Sequence, residues 1–231
     1  MTWTSEKQMV DAFTQAWKLH QNNRDHDSLT LHETDTSYGR ADMMVVEYDM
    51  SMIRQRNTLS GPQAAPFTQE CAYAMAYLTQ KKWATFEYLQ EFLRCSKSKL
   101  VSIVNDLARR NLIQVHKESV QARKLDDTFH LNRILVFEAK LSKWREAIAQ
   151  AERHLWFTGA SYVVLPAERK GVVDSARQEC EQKGLGLISF SKEGEVNCLV
   201  TPSDMRIYNT YFCWVINEQL VQKNTYAAHH F

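Results

Sequence analysis

The feature that most constrains the fold of this chain is an alternation of apolar strands and amphipathic helices in its second half. Three short apolar runs are typical of buried strands, and they stand at 132–140, 161–166 and 186–191. Two stretches with apolar residues at helical spacing separate these runs, at 141–157 and 172–183. Gly184 follows the second stretch in the role of a helix C-cap. Strand, helix, strand, helix, strand predicts an α/β sheet with right-handed crossovers.

The first fifty residues predict one helix and two further strands. Residues 5–19 carry apolar side chains at helical spacing, with Ser5 as the N-cap. Alternating residues at 29–33 and an apolar run at 42–48 predict the strands, and Gly39 marks the turn between them. These elements supply a first part of the predicted sheet.

The middle of the chain predicts a separate, inserted domain. Residues 54–68 contain a Gly-Pro pair and a second proline without clear periodicity, and therefore predict a linker. Residues 69–128 carry three short helical patterns, followed by an alternating, charged stretch that fits a two-stranded wing. The chain is thus predicted to form a core in two parts, 1–53 and 129–231, with the last thirty residues as a helix packed on the rest.

Bulk composition excludes several classes of protein. Lys and Arg number 28 against 27 Asp and Glu, so no global charge draws the chain to nucleic acid. Five cysteines without a Cys-x-x-Cys pair argue against a disulfide framework and against a zinc site. No apolar run reaches the roughly 18 residues that span a bilayer, and the N-terminus does not resemble a signal peptide. We therefore expect a cytoplasmic protein with no membrane partner.

Two carboxylates and a lysine form the candidate site. Side chains two apart in a strand share a face, so Glu138 and Lys140 are expected to project together at the end of an apolar strand. Carboxylates from two neighbouring strands suit Mg²⁺, which takes one or two protein carboxylates and leaves its other positions to water and phosphate. Asp42 is the best candidate for the second carboxylate, because it begins the apolar run Met-Met-Val-Val. Lys140 could orient or deprotonate a water molecule for attack on a phosphodiester bond.

A Glu-x-Lys pair alone has a simpler explanation, since such a pair at a strand edge is usually a solvated ion pair worth under about 1 kcal/mol. The surrounding segments are more specific. GRAD at 39–42 precedes an apolar strand, and VFEAKLSKWREAIAQA at 136–151 joins a strand to a helix. Over roughly residues 1–50 and 131–200, the chain resembles the PD-(D/E)XK (restriction-endonuclease-like) nuclease superfamily. Ala41 stands where the nominal motif has proline.

The resemblance implies an α/β fold whose restriction-endonuclease-like mixed sheet is flanked by helices. It implies Mg²⁺ or Mn²⁺ as the cofactor, Asp42 and Glu138 as metal ligands, and Lys140 as the catalytic lysine. Gln150, on the helix that follows, matches a polar residue that faces the site in similar nucleases, although a helix-surface glutamine is an equal explanation. His154 is more simply explained as a core histidine. Acids at equivalent positions in some relatives correspond here to Glu6 and Glu33.

The insert resembles a winged helix-turn-helix domain. Residues 85–94 would be its second helix, Cys95-Ser96 the turn, and 97–115 the recognition helix running into the wing. Basic side chains at the start of a recognition helix can meet phosphates or base edges in the major groove. We therefore expect duplex DNA as the partner, contacted by a set of basic residues: Lys97, Lys99, Arg109, Arg110, Lys117, Arg123 and Lys124. The alternative is a small helical domain used for dimerisation or protein contact.

The leading functional hypothesis is a Mg²⁺-dependent deoxyribonuclease to which the insert presents DNA. A rival hypothesis is a DNA-binding regulator or assembly factor that uses the nuclease fold as a scaffold and does not cleave. A third is a protein-interaction module. Similar nucleases often cut both strands only as dimers, so a homodimer is also open, although no segment predicts an interface.

Overall fold

The computed structural model describes residues 3–21, 27–59 and 66–228. The chain divides into two compact units. We call them the sheet unit, formed by Met1–Tyr48 and Asn132–Tyr208, and the helical unit, formed by Asp49–Leu131 and Asn209–Phe231.

The elements of the two units alternate along the chain. The helices are α1 (Glu6–Gln21), α2 (Met50–Leu59), α3 (Gln69–Lys81), α4 (Phe86–Leu93), α5 (Lys97–Arg109), α6 (Leu125–Thr128), α7 (Trp144–Glu152), α8 (Lys170–Lys183) and α9 (Tyr211–Ala228). The strands are β1 (Asp27–Thr36), β2 (Gly39–Tyr48), β3 (Trp83–Thr85), β4 (Ile113–Val115), β5 (Ser119–Ala122), β6 (Leu131–Ala139), β7 (Ser161–Pro166), β8 (Gly186–Phe190) and β9 (Val196–Val200).

The sheet unit is built on a mixed sheet that, within the described residues, has six strands in the order β1-β2-β6-β7-β8-β9. Strands β6, β7 and β8 run parallel, whereas β1 with β2 and β8 with β9 form antiparallel pairs. The parallel part follows from the two helical crossovers that the sequence predicts. The predicted α/β class with a mixed sheet flanked by helices is therefore confirmed.

Helices cover both faces of this sheet, and the alternation of side chains along β7 shows it. Tyr162 and Val164 pack in one buried cluster with Phe13 and Trp17 of α1. Val163 and Leu165, which point to the other face, pack in a second cluster with residues of α7 and α8. Because β7 is buried on both faces, all six of its residues are buried, which explains its continuous apolar sequence.

The segment directly before β7 contains a glycine, Gly159, that close packing requires. The backbone N–H of Gly159 donates to the carbonyl of Arg206 at 2.9 Å. A Cβ at Gly159 would lie 2.7 Å from the carbonyl oxygen of Asp204 and 2.8 Å from its carbonyl carbon. Both atoms belong to backbone, so they cannot move aside as a flexible side chain would. Close approach of two chain segments is thus the reason for glycine at this position.

We expect Gly159→Ala to destabilise the protein by about 1–3 kcal/mol, the usual cost of overpacking. Gly171→Ala is the matched control, because nothing lies within 4 Å of a Cβ at Gly171 in α8. Alanine is the better helix former by up to about 1 kcal/mol, so the control should be neutral or slightly stabilising. Urea unfolding of the two variants measures the difference, and equal stabilities would contradict the packing argument.

The helical unit contains α3, α4 and α5 around one buried cluster, which includes Leu78, Leu89 and Leu107. The unit also contains a small sheet with the strand order β3-β5-β4, in which β3 lies between α3 and α4 in the chain and β4 and β5 follow α5. Three helices and, after them, two paired strands lie where the sequence predicts them, whereas the winged-helix assignment of the insert stays a prediction. The short strand β3 is not predicted, because three residues are too few to show a periodicity.

The predicted boundaries differ from the structure, since residues 49–53 and 129–131 of the predicted core also belong to the helical unit. Residues 54–59 of the predicted linker belong to helix α2, and residues 60–65 lie outside the described residues. Helix α9, assigned by prediction to the second part of the core, belongs to the helical unit. The physical reason is a buried ion pair between Arg56 of α2 and Glu218 of α9, at 2.6 Å, which no local pattern reveals. Among the described residues, no helix has the length and apolar character needed to cross a membrane.

Candidate functional site

Neighbouring strands β2 and β6 bring Asp42 next to the segment that carries Glu138 and Lys140. Oδ2 of Asp42 accepts a hydrogen bond of 2.9 Å from the backbone N–H of Ala139, which lies between Glu138 and Lys140. The ammonium of Lys140 lies 3.5 Å from the same carboxylate oxygen. Residues on opposite sides of the long insertion are thus neighbours in space.

Glu138 is fully buried, with an exposed fraction of 0%, and its carboxylate is directed toward the turn after α7. Oε1 lies 2.8 Å from Nε2 of His154. Oε2 is buried and has no hydrogen-bond partner among the described residues. Burial raises the pKa of the Glu138 carboxyl; the hydrogen bond with His154 opposes this rise, and the charge of Asp42 adds to it.

Lys140 follows directly after β6, and its side chain is only 12% exposed. Its ammonium lies 3.5 Å from Oε2 of Glu6 in α1, the same distance that separates it from Asp42. Oε1 of Glu6 in turn accepts the backbone N–H of Leu141 at 3.4 Å. The prediction that Glu138 and Lys140 project together relies on strand alternation, but β6 ends at Ala139, and the two side chains have different partners, His154 for Glu138 and the carboxylates of Asp42 and Glu6 for Lys140. The long side chain places its charge between two carboxylates instead.

Two polar residues on and after α7 have buried side-chain atoms. His154, which the sequence suggests is a core histidine, is indeed buried, with an exposed fraction of 1%, yet it binds the predicted metal ligand Glu138. Gln150 is half-buried, and its Oε1 is buried without a partner among the described residues. The sequence signal was available in the four-residue spacing of these two polar side chains beside an apolar stripe.

The donor set fits a hard divalent cation. No group of three or more His, Cys, Asp or Glu side chains within the described residues is arranged to hold a metal ion. Mg²⁺, however, needs only one or two protein carboxylates. Glu138 offers a buried oxygen without a partner, and the charge of Asp42 raises the pKa of the Glu138 carboxyl. Carboxylate oxygens are the ligands that such an ion prefers, so the residue types present fit the group.

A cleft of about 540 Å³ opens beside Asp42, between α1 and the β1–β2 hairpin. Opposite Asp42 in β1, Glu33 has a left-handed backbone with φ of 45°. Arg40 holds it there, because its Nη2 pairs with the Glu33 carboxylate at 2.5 Å and its Nε donates to the Glu33 carbonyl at 3.0 Å. Glu33 therefore binds Arg40 and does not join the Asp42 carboxylate.

The predicted nucleic-acid contacts lie on or near α5 and its following hairpin. Ser96 caps α5 by accepting the backbone N–H of Lys99, and Lys97 begins the helix in an exposed position. Lys99 is paired with Glu70 at 3.0 Å, and Arg109 lies 3.7 Å from Asp106. The other predicted residues of the hairpin region are exposed Lys117, half-buried Arg123 and exposed Lys124.

The prediction for Arg110 is wrong. Its exposed fraction is 1%, and its Nε donates to Asp106 at 2.9 Å. Its Nη1 lies 3.7 Å from Glu218, and its guanidinium lies over the ring of Phe67 at 5.1 Å. A guanidinium held inside the helical unit cannot reach a phosphate. One residue corresponds to a rotation of about 100° around a helix, so Arg109 is exposed while Arg110 is buried.

Comparisons of the chain with protein-family models, with curated proteins and with solved structures find no match.

Proposed function

We propose that this protein is a metal-dependent nuclease that hydrolyses DNA phosphodiester bonds, at a PD-(D/E)XK-type site formed by Asp42, Glu138 and Lys140. One observation carries the proposal. The Asp42 carboxylate accepts the backbone N–H between Glu138 and Lys140 and lies 3.5 Å from the Lys140 ammonium, although 97 positions separate Asp42 from Ala139. Two carboxylates and a lysine, near the beginning of β2 and the end of the adjacent β6, are the residue types that metal-dependent phosphodiester hydrolysis requires.

Each residue of the site has a distinct task in this proposal. Asp42 and Glu138 would hold Mg²⁺ or Mn²⁺, and His154 fixes the Glu138 carboxylate through the 2.8 Å contact. When bound, the ion supplies charge stabilisation to the phosphoryl oxygens. Lys140 orients the attacking water and favours its deprotonated form, since an ammonium stabilises a neighbouring negative charge. Gln150 of α7 has a buried carbonyl oxygen without a hydrogen-bond partner among the described residues, and in this proposal it would face the site.

The helical unit would bind the DNA as a winged-helix domain inserted in a restriction-endonuclease-like core. Two observations support this part. The order helix, strand, helix, helix, two-stranded hairpin agrees with a winged helix. The unit also carries 13 Lys and Arg against nine Asp and Glu, so the positive charge of the chain is concentrated there. Lys97, Lys117 and Lys124 are its exposed candidates for phosphate contact.

Metal binding is the first test. We expect isothermal titration to detect Mn²⁺ binding to the wild-type protein, and we expect Glu138→Gln to weaken it by at least about tenfold, as metal-site changes typically do. Glu146→Gln is the matched control, because this exposed residue of α7 pairs only with Lys143 among the described contacts, at 3.1 Å. Nicking or cleavage of DNA with Mg²⁺ or Mn²⁺ completes the test. Mn²⁺ binding that Glu138→Gln leaves unchanged would contradict the proposed ligand set.

A second function is favoured by one specific observation. Glu138 is fully buried and already bound to His154, as expected of a site used as a scaffold and not for cleavage. A DNA-binding regulator or assembly factor of this kind would bind duplex DNA with a steep salt dependence and no dependence on metal. Binding measured by fluorescence anisotropy over a salt series, with and without Mn²⁺, separates it from the nuclease.

A further inference from the structure

An exposed aromatic side chain stands at the tip of the β1–β2 hairpin. Tyr38 is 62% exposed, although it is a large and partly apolar residue. Its ring lies 5.7 Å from the ring of Trp156, centroid to centroid, and the two ring planes make an angle of 76°. Nearly perpendicular rings meet edge to face and do not stack, so Trp156 contacts Tyr38 without covering both faces of its ring. The tyrosine is thus held in place while most of its surface faces solvent.

A cation lies beside this ring. Arg153, in the turn after α7, is exposed, and its Nε donates to the carbonyl of Ala149 at 3.2 Å. A Cβ at Gly39 would lie 3.8 Å from Nη1 of Arg153, so the guanidinium is in contact range of the hairpin tip. Arg40 is close in sequence, but the Glu33 carboxylate binds it. Arg153 is therefore the cation of this surface, which we call the Tyr38 shelf (Tyr38, Arg153 and Trp156).

The Tyr38 shelf adjoins the candidate site through two chain segments. Tyr38 stands four residues before Asp42, a distance of about 13 Å at the usual rise of a strand. Trp156 follows His154, which holds Glu138, by two residues. The hairpin tip and the turn after α7 lead separately to the two proposed metal ligands. A polymer lying across those ligands would therefore meet the shelf.

We propose that Tyr38 stacks against an unpaired base of the nucleic-acid strand that enters the site, and that Arg153 contacts a phosphate of the same strand. This inference rests on the proposed nuclease function and names its substrate at this site as a single strand. A base within a duplex has both faces covered by its neighbours, so only an unpaired base can stack on the exposed ring of Tyr38. Stacking tolerates every base, and an arginine beside an aromatic ring is the usual companion of such a platform.

The test measures binding without cleavage, by fluorescence anisotropy of a labelled single-stranded oligonucleotide and of a duplex of equal length, both in EDTA. We expect Tyr38→Leu to weaken single-strand binding about tenfold and duplex binding by less than twofold, whereas Tyr38→Phe keeps the wild-type affinity. Tyr88→Leu is the matched control, because Tyr88 is a tyrosine of similar exposure, 65%, in the helical unit. Thermal unfolding of each variant verifies that the fold is retained.

A base analogue provides a readout that a merely structural role would not change. The fluorescence of 2-aminopurine in the oligonucleotide should fall on binding to the wild-type protein and to Tyr38→Phe, and should not fall with Tyr38→Leu. Equal single-strand affinity of Tyr38→Leu and wild type, or an equal loss in Tyr88→Leu, overturns the shelf. Absence of single-strand binding by the wild-type protein also overturns the proposal. That result is expected if the surface binds a protein partner instead. Cleavage in Mg²⁺ is measured separately. Failure of the nuclease proposal would appear as absence of cleavage, whereas failure of the stacking proposal would appear as unchanged single-strand binding in Tyr38→Leu.

Discussion

Substituting Lys140 with methionine is expected to lower Mg²⁺-dependent DNA cleavage by about 10²–10⁴-fold, the usual contribution of a positioned acid–base group. Methionine is close to the length of the lysine stem and removes its charge. The ammonium lies 3.5 Å from both Asp42 and Glu6 in a pocket where its side chain is only 12% exposed, so bulk solvent cannot replace it. The measured quantity is the single-turnover rate on labelled DNA at saturating protein.

Lys143→Met is the matched control for this prediction. Lys143 lies three residues further along, is 67% exposed and pairs with Glu146 at the surface. We expect its rate to stay within about twofold of wild type, because an exposed pair contributes little. Removing a cation from between two carboxylates also affects folding, so urea unfolding of Lys140→Met and Lys140→Arg accompanies the kinetics. Equal cleavage rates for folded Lys140→Met and Lys143→Met would contradict a catalytic role.

Glu218→Gln is expected to destabilise the helical unit by about 3–5 kcal/mol, the usual cost of breaking a buried ion pair on one side. Arg56 binds both carboxylate oxygens of Glu218, at 2.6 and 2.9 Å, and the exposed fractions of the two side chains are 2% and 0%. Arg110 adds a second guanidinium at 3.7 Å. A neutral amide would leave two buried positive charges without their shared counter-charge.

Urea unfolding measures this effect, with Glu152→Gln as the control. Glu152 is 47% exposed and pairs with Lys183 at 2.9 Å, so its loss should cost under about 1 kcal/mol. The double variant Arg56→Met with Glu218→Met should recover part of the lost stability, since apolar residues often replace a buried pair without penalty. A Glu218→Gln variant as stable as Glu152→Gln would show that the buried pair does not support the unit.

Local patterns were sufficient for most elements of the sheet unit. The apolar runs of β6, β7 and β8 and the helices between them are predicted from periodicity, and Gly184 ends α8 in the expected left-handed conformation, with φ of 70°. The edge strand β9 was not predicted. Its burial alternates weakly because one side faces solvent, so its sequence lacks the apolar run that marks the central strands.

The candidate site was predictable in its local part and not in its long-range part. Glu138 and Lys140 stand together in sequence at the end of an apolar strand, and Asp42 was paired with them only through a resemblance. The contact of His154 with Glu138 depends on how the turn after α7 folds back on β6, which no periodicity describes. Arg110 was misassigned because charge in a sequence does not say which side of a helix faces the core.

The sequence by itself determined the α/β class, the elements of the parallel sheet and the local Glu-x-Lys pair, because these depend on periodicities of two and of about 3.6 residues within short windows. Only the tertiary structure decided that Asp42 reaches Ala139, that α9 joins α2 through a buried ion pair, and that Tyr38 rests on Trp156. Each of these contacts joins segments that lie far apart in the chain. They depend on how whole elements pack against one another, and the periodicity of a short segment does not predict that packing.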